Sequence, residues 1–467
     1  MIRMTLGELA SVVGGRLDTA DGSELITGTV EFDSRAMTKG GLFVALRGEH
    51  VDGHDYAAAA LAAGAAGVLA ARPVRAPAVV VVDVLAALAR LAAHLVRRLP
   101  ELDVIGLTGS SGKTTTKDLL ASVLSSALGS AAPAGFVVAP PGSFNNELGH
   151  PWTVLRADEH TRYLVLELAA RGIGHIAALC AVAPPRIGLV LNVGSAHMSE
   201  FGSADAIAAA KGELVEALPA ASAGGVAALN FGDPRVAAMA GRTAAKVVTF
   251  GRVRGADVCA EGVTLDERGR ARFRLVTAAG AEEVALRAVG EHQVLNALGV
   301  AAVAGELGLG PDQIAARLSA ATVASRWRME VTDRSDGVTV INDAYNANPE
   351  SMRAALHALS AISGRSRRRW AVLGPMAELG SLTETAHAQV GLLAGELGVQ
   401  RLVAVGIECY GKDSMVVPDV AAALDLLRRQ LRPHDVVLVK ASRAAGLERV
   451  VEGLLNGGTA ATSEVGG

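Results

Sequence analysis

Residues 106–115 read GLTGSSGKTT, a glycine-rich turn between an apolar run, DVIGL (103–107), and a segment patterned as a helix. In such a turn successive backbone N–H groups, added to the positive end of the following helix, form a nest for phosphate oxygens. Gly109, Ser110, Ser111, Gly112, Lys113, Thr114 and Thr115 make up the expected cradle. Lys113 would reach the β- and γ-phosphates of a nucleotide, and the Thr114 hydroxyl would ligate Mg²⁺. Leu107 occupies the first glycine position of the strict G-x-x-x-x-G-K-[ST] pattern, so the signal rests on strand, GKT and helix together. Mg²⁺ takes hard oxygen ligands, and a neighbouring strand end usually adds a carboxylate. Glu167 ends YLVLEL (163–168), and His197 follows RIGLVLN (186–192). Both fall where ligands gather in open α/β sheets. Taken alone, Glu167 reads equally as a strand-end charge, and His197 more simply as a structural histidine.

A second feature is a cation in an apolar stripe. In IAAAKGELVEAL (207–218), Ile207, Lys211, Leu214 and Leu218 share one face of a helix. A buried ammonium without a partner is costly. Gly212 weakens the helix beside it by about 1 kcal/mol relative to alanine. Two readings follow. Lys211 snorkels from the edge of the core, or it is an inward amine with a task.

These side chains need a scaffold. A chain of 467 residues, half of them hydrophobic and 19% charged, has material for about three domains. The net charge of −3 gives no sign of a nucleic-acid partner. The most apolar stretch, 76–96, is broken by Asp83, Arg90 and His94, so no membrane span is expected. Cys180, Cys259 and Cys409 are far apart and fit a reducing cytoplasm. Strand and helix patterns alternate from Asp103 onward, which argues a parallel sheet wrapped by helices. The fold class expected is α/β in three domains: a small mixed domain (1–100), a central P-loop parallel-sheet domain (101–325) and a Rossmann-like domain (326–467). The first carries strands at 42–46 and 78–83 and helices at 56–66 and 84–98. The second includes a loop at 129–142, a hairpin at Asp266–Gly269 and helices near 292–307 and 311–320. The third carries strands at 338–343, 370–374, 401–406 and 435–440, and residues 456–467 form a tail.

At this point the residues resemble the Mur ligases, ATP-dependent amide-forming enzymes of peptidoglycan synthesis. The resemblance rests on TGSSGKT (108–114), SFNNELGHP (143–151), Glu167, NVGSAHMSEFGS (192–203), AKGE (210–213) and GEHQVLNAL (290–298). It continues through WRME (327–330), NDAYNANPESM (342–352), VLGPMAELG (372–380) and LVKASRAAGLERVV (438–451). YNANP and NNELGHP resemble most the branch that joins D-alanyl-D-alanine to UDP-N-acetylmuramoyl-tripeptide.

The resemblance implies roles. Thr114 and Glu167 would hold the Mg²⁺ bridging the β- and γ-phosphates of ATP. His197 and Lys211 would serve a second Mg²⁺, with Lys211 carbamylated by CO₂; a carbamate offers the oxygens and negative charge that an ammonium lacks. Asn145 and Asn146 would stand near the reacting acyl group. Asn296 would contact adenine, Arg328 a phosphate or ribose, and Asp343 the ribose. Ser34, Arg35 and Asp52, Gly53 and His54 would hold the uridine nucleotide, and Tyr345, Asn346 and Asn348 would line the substrate site. The implied enzyme is monomeric and cytoplasmic.

Three departures stand out: Pro375 for an aspartate, Gln293 for an asparagine and Ala441 for a glycine. Two other readings share the phosphate site. One is a sibling ligase adding the third residue, or one similar to folylpolyglutamate synthase. The other is a regulatory P-loop NTPase, which would need neither a uridine-nucleotide domain nor a second metal.

Overall fold

The computed structural model describes residues 1–48, 50–126, 133, 135–194, 198–364 and 366–456. His197, residues 129–132 and 134 of the expected loop, and the tail beyond 456 lie outside the described residues.

The Asp103–Thr108 strand is buried at every position, between Tyr163–Glu167 and Ile187–Val190 in a nine-stranded sheet. Val137–Val138 closes one edge. On the other side follow Val226–Asn230, Lys246–Gly251 and Val258–Leu265, all parallel. Arg270–Thr277 and Gly280–Val289 then add an antiparallel meander, joined through the expected turn at Asp266–Gly269. The parallel strands read as unbroken apolar runs because helices cover both faces. Ile105 and Leu107 pack with Leu119, Leu120 and Leu298 from the helices Lys113–Ser125 and Gln293–Glu306, whereas Val104 joins the core on the opposite face.

That opposite face carries the helix Ala204–Glu216. Glycines in the strands let it sit close. A Cβ at Gly106 would lie 3.0 Å from Leu214 Cδ1, and one at Gly188 only 3.1 Å from Leu218 Cδ1. The helix is the crossover between the parallel neighbours Ile187–Val190 and Val226–Asn230, so it runs back against the strand direction. Lys211, about 4.5 Å of helix rise before Leu214, therefore lies toward the strand C-termini and the glycine-rich turn.

The first unit has a sheet in the order Arg16–Asp18, Ala78–Val80, Ala65–Ala70, Gly41–Val44, Val30–Glu31. Here one expectation fails: the helix placed at 56–66 ends at Ala62, Gly64 turns the chain at φ +109°, and Ala65–Ala70 is a strand. An alanine-rich run buried along most of its length carries no period of either kind. The short edge strand Val137–Val138 falls inside the expected loop 129–142. Trp152 of the central unit donates its Nε1–H to Val30 O at 2.7 Å, and its ring meets Phe32 at 5.5 Å. These contacts join the first unit to the second.

The third sheet runs Glu330–Asp333, Thr339–Asn342, Val436–Lys440, Arg369–Leu373, Arg401–Val405, Met415–Val417, antiparallel only in its first pair. The four inner strands fall where the apolar runs put them. Both edge strands are short and partly exposed, and escaped the pattern. No helix among the described residues is long and apolar enough to cross a membrane.

Candidate active site

A cleft of about 1250 Å³ lies where the central and last sheets present their loops to one another. Its walls include Ser110–Thr115, Ser143–Leu148, Glu167, Asn192, Asn296, Arg328, Asp343 and Tyr345. The strand Asp103–Thr108 delivers the turn, and Gly112 at φ +82° starts the helix Lys113–Ser125. A side chain at 112 would be strained by that φ and would also strike Asn296 Oδ1 at 2.4 Å. The backbone N–H groups of Ser110 and Ser111 converge on one oxygen, Asn192 Oδ1, at 2.9 Å each. Lys113 Nζ rests on Gly109 O at 2.7 Å. Its pKa is lowered by burial; Glu167 opposes the shift and Arg328 adds to it.

Oxygen donors gather beside the turn. Thr114 Oγ1 donates to Glu167 Oε2 at 2.9 Å and lies 2.9 Å from Ser143 Oγ. Asn145 Nδ2 fixes the other carboxylate oxygen at 2.7 Å. Arg328 reaches over from the last unit, and its Nη2 donates to both hydroxyls at 2.9 and 3.0 Å. Among the described residues no three His, Cys, Asp or Glu side chains form a metal-sized cluster. Two hydroxyls and one carboxylate fit Mg²⁺, which keeps much of its shell for water and phosphate oxygens.

Arg328 is held under strain. Its neighbours Trp327 and Met329 have φ of +61° and +52°, left-handed values that cost a non-glycine residue about 1 kcal/mol or more. Met329 N–H donates to Asp343 Oδ1 at 3.1 Å, and the guanidinium lies 4.1 Å from the Tyr345 ring centroid. Asp343 also accepts from Lys440 Nζ at 2.6 Å, and Lys440 bonds Asn346 O at 2.7 Å. Burial lowers the Lys440 pKa, against the pull of Asp343. Asn348 caps the helix Pro349–Ser363 by accepting from Ser351 N–H at 2.8 Å, and its Nδ2 reaches Ser110 O at 3.4 Å. The cap thus ties the last unit to the phosphate turn.

Lys211 points inward and is 4% exposed, so the snorkelling reading is overturned. Desolvation pulls its amine down to about 7, and the Lys113 charge pushes the same way. It is not among the residues lining the cleft, and its amine forms no hydrogen bond among the described residues. Gly212 is explained by Arg242, whose Nη1 and Nη2 donate to Ala208 O and Ala209 O at 3.1 and 2.9 Å while Nε pairs with Glu216. A Cβ at 212 would come within 1.9 Å of Arg242 Nη1. Alanine there would gain about 1 kcal/mol of helix propensity but displace two hydrogen bonds from a charged donor, each of about 1.5–3 kcal/mol before exposure weakens it. Gly212→Ala is therefore expected to lower the thermal unfolding midpoint; a raised midpoint would show that Arg242 is dispensable. Next in the chain, Glu213 accepts the N–H groups of Gly174 and, at 2.9 Å, Ala177, holding the helix His175–Val182 at the cleft edge.

None of the expected uridine-nucleotide residues lines this cleft, although Phe32, two residues before Ser34, does. Arg35 Nη2 pairs with Asp33 at 2.7 Å, and Ser34 sits in the same short turn. His54 is committed at both ring nitrogens: Nδ1 lies 2.5 Å from Asp52, and Nε2 accepts Ala71 N–H at 3.0 Å. A Cβ at Gly53 would sit 2.7 Å from Leu46 O, so this segment needs glycine to fold. Asn146 lines the cleft, but its Oδ1 accepts Gly149 N–H at 2.9 Å. Ser143, Asn192, His292 and Lys440 also line the cleft without having been assigned a task from the sequence. Their signal is position: each follows or ends a strand, or precedes a helix, at the ligand-facing side of its sheet.

Residues 28–96 match the Mur ligase family catalytic domain, 107–304 the Mur ligase middle domain and 327–443 the Mur ligase glutamate ligase domain. The chain belongs to the Mur ligase family. Within it, the UDP-N-acetylmuramoyl-tripeptide–D-alanyl-D-alanine ligase of Mycobacterium bovis is 50% identical, over 97% of this chain and 98% of that protein. The ligase of the same name from Escherichia coli is 34% identical over 98% and 100%. Crystal structure I of MurF from Acinetobacter baumannii superposes with a TM-score of 0.84 at 30% identity, covering 97% of this chain and 99% of that one. MurF ligase from Thermotoga maritima in complex with ADP gives 0.78 at 29% identity, covering 92% and 98%.

Proposed function

We propose that the chain joins D-alanyl-D-alanine to UDP-N-acetylmuramoyl-tripeptide, converting ATP to ADP and phosphate. The observation that carries this is full-length similarity, at 50% identity, to ligases of that name. A cleft combining a phosphate turn with convergent oxygen donors supports it. The three units are taken as 1–100, 101–325 and 326–467, binding the uridine nucleotide, ATP and the incoming dipeptide. The working unit is taken as a monomer. Three free cysteines favour the cytoplasm.

A carboxylate oxygen is a poor leaving group, so the tripeptide carboxylate first attacks the γ-phosphorus of ATP, giving an acyl phosphate and ADP. The dipeptide amine then adds to the acyl carbon, and the tetrahedral intermediate loses a proton and expels phosphate as the amide forms. Lys113 and Arg328 neutralise charge on the transferring phosphoryl group, a positioning and electrostatic task. Mg²⁺, held by Thr114 and Glu167, supplies further charge neutralisation when bound. Asn145 holds Glu167 in place and, with Asn146, borders the acyl site. Asn296 meets the adenine, Asp343 the ribose, and Lys440 fixes Asp343. Tyr345, Asn346 and Asn348 shape the side of the cleft facing the dipeptide. A second Mg²⁺ would draw on His197 and a carbamate on the Lys211 amine. Ser34, Arg35 and the loop Asp52–His54 belong to the uridine-nucleotide region, with His54 bracing the loop.

Phosphate release is expected to require ATP, UDP-N-acetylmuramoyl-tripeptide and D-alanyl-D-alanine together. Turnover with the UDP-dipeptide and a free third amino acid, and none with D-alanyl-D-alanine, would assign the chain to the sibling ligase. Hydrolysis indifferent to any amine would favour the regulatory NTPase.

A further inference from the structure

Arg328 is carried by the connector 321–329, which leaves the central unit after the helix Pro311–Ala320 and enters the last unit at the strand Glu330–Asp333. Its Nη2 is spent on Thr114 and Ser143, and its Nε is buried without a partner among the described residues. Its aim therefore depends on the backbone that carries it, and that backbone is tied down on both sides. Met329 N–H donates to Asp343 Oδ1 at 3.1 Å, and Ser325 N–H donates to Asp118 Oδ2 at 2.8 Å. Each carboxylate is paired with a buried lysine. Asp343 meets Lys440 at 2.6 Å in the last unit, and Asp118 meets Lys117 at 2.5 Å in the central one. The second pair lies in the helix Lys113–Ser125, one turn beyond Lys113 and Thr114, and is 2% and 5% exposed. Adjacent side chains on a helix do not face each other; these two meet because both turn to Ser325. Lys117 Nζ donates to Ser325 Oγ at 3.3 Å and to Pro140 O at 2.7 Å. Pro140 stands on the segment leading to Ser143, so one ammonium holds both segments that bring a group to Thr114.

We infer that Lys117 and Asp118 are positioning residues for phosphoryl transfer: together they anchor the connector at Ser325 and so set Arg328 beside Thr114 and the phosphate turn. Neither lines the cleft, so they act through Arg328 and touch no substrate. Apolar side chains of similar volume pack a buried site as well as an ion pair does. What the pair adds is placement, because its two charged ends reach three backbone or hydroxyl groups from separate segments. Placement matters to a group that neutralises charge in a transition state, where a shift of about 1 Å costs on the order of a hundredfold in rate. The inference rests on the role proposed above for Arg328.

The test is a double-mutant cycle on the full chain, read as the rate of ADP formation with ATP, Mg²⁺, UDP-N-acetylmuramoyl-tripeptide and D-alanyl-D-alanine all present. Asp118→Asn keeps one oxygen where two are used, so it cannot serve Lys117 and Ser325 N–H together. It is expected to slow ADP formation by about tenfold to a hundredfold. Arg328→Met alone is expected to slow it by about a thousandfold. In the Arg328→Met chain, adding Asp118→Asn is expected to cost less than about threefold more, because the group it positions is gone. An equal cost in both backgrounds would overturn the inference, since that pattern belongs to a general packing defect or to a disturbed phosphate turn. So would an Asp118→Asn rate within about threefold of the unsubstituted one, or an Arg328→Met chain of full activity. If Asp118→Asn does not fold, Lys117→Met with Asp118→Leu removes both charges at once and enters the same cycle under the same limits. Amide formation is scored separately: the expected cycle in a chain that makes no amide refutes the ligase reading alone. If the unsubstituted chain forms no ADP, both fail.

Discussion

Lys113→Met is expected to lower turnover by at least about a thousandfold while leaving the fold intact. The scale follows from other phosphoryl transfers, where one cation on the transferring group is worth about 10³–10⁵ in rate. Lys113 stands at the first turn of its helix with Nζ tethered to Gly109 O at 2.7 Å, inside the turn that would surround the phosphates. Burial lowers its pKa and so disfavours the charge, which Glu167 partly restores. An arriving polyphosphate supplies far more negative charge than one carboxylate and makes the ammonium the favoured form. Lys113→Arg is expected to fail as well, because a planar fork does not fit a site built around a compact ammonium. ADP formation in single-turnover experiments checks both variants. Turnover within tenfold of the unsubstituted protein in Lys113→Met would remove Lys113 from the phosphoryl-transfer step and leave Arg328 as its main cation.

The phosphate turn could be read from sequence because its information is local. Strand, turn and helix are contiguous, and the glycine at 112 is demanded by the backbone itself. Lys211 was conspicuous for the same reason, as a cation out of phase with its own helix. Other parts of the site are assembled from distant segments. Glu167, Ser143 and Arg328 meet at Thr114 across separations of 53, 29 and 214 residues, and no local pattern announces such a meeting. Glu167 was legible from its place at a strand end and the resemblance supplied Arg328, but neither gave a task to Ser143, Asn192 or Lys440. Gly212 shows a further limit. From sequence it was a weak spot in a helix, and only the packing of Arg242 gives the glycine a reason to be there. Fold errors had the same physical origin: Ala65–Ala70 has no amphipathic period, and the edge strands are too short to show one.

Lys211→Met is expected to abolish most activity while making the protein no less stable, a combination that an ordinary core residue would not give. The side chain is 4% exposed, and burial, aided by Lys113, brings its amine down to about 7. In the unfolded chain the same group titrates near its usual value of about 10.4. Between those values the unfolded state holds the proton more often than the folded state, so the Lys211 contribution to stability rises with pH across that window. Below it the buried charge opposes folding, and an apolar methionine removes that opposition. The lowered pKa also suits carbamylation, in which the neutral amine adds CO₂ and releases a proton. At pH 7 a free lysine is neutral in roughly one molecule in a few thousand, whereas one titrating near 7 is neutral in about half. Activity in bicarbonate is therefore expected to climb as pH rises through about 7, and intact mass under bicarbonate to show the added carboxylate on Lys211. Lys211→Arg is expected to be inactive, since guanidinium keeps its charge and forms no carbamate under these conditions. A short carboxylic acid supplied to Lys211→Ala should restore part of the turnover by replacing the carbamate oxygens. A Lys211→Met enzyme near full activity, or one that unfolds well below the unsubstituted protein, would return Lys211 to the core as a structural side chain.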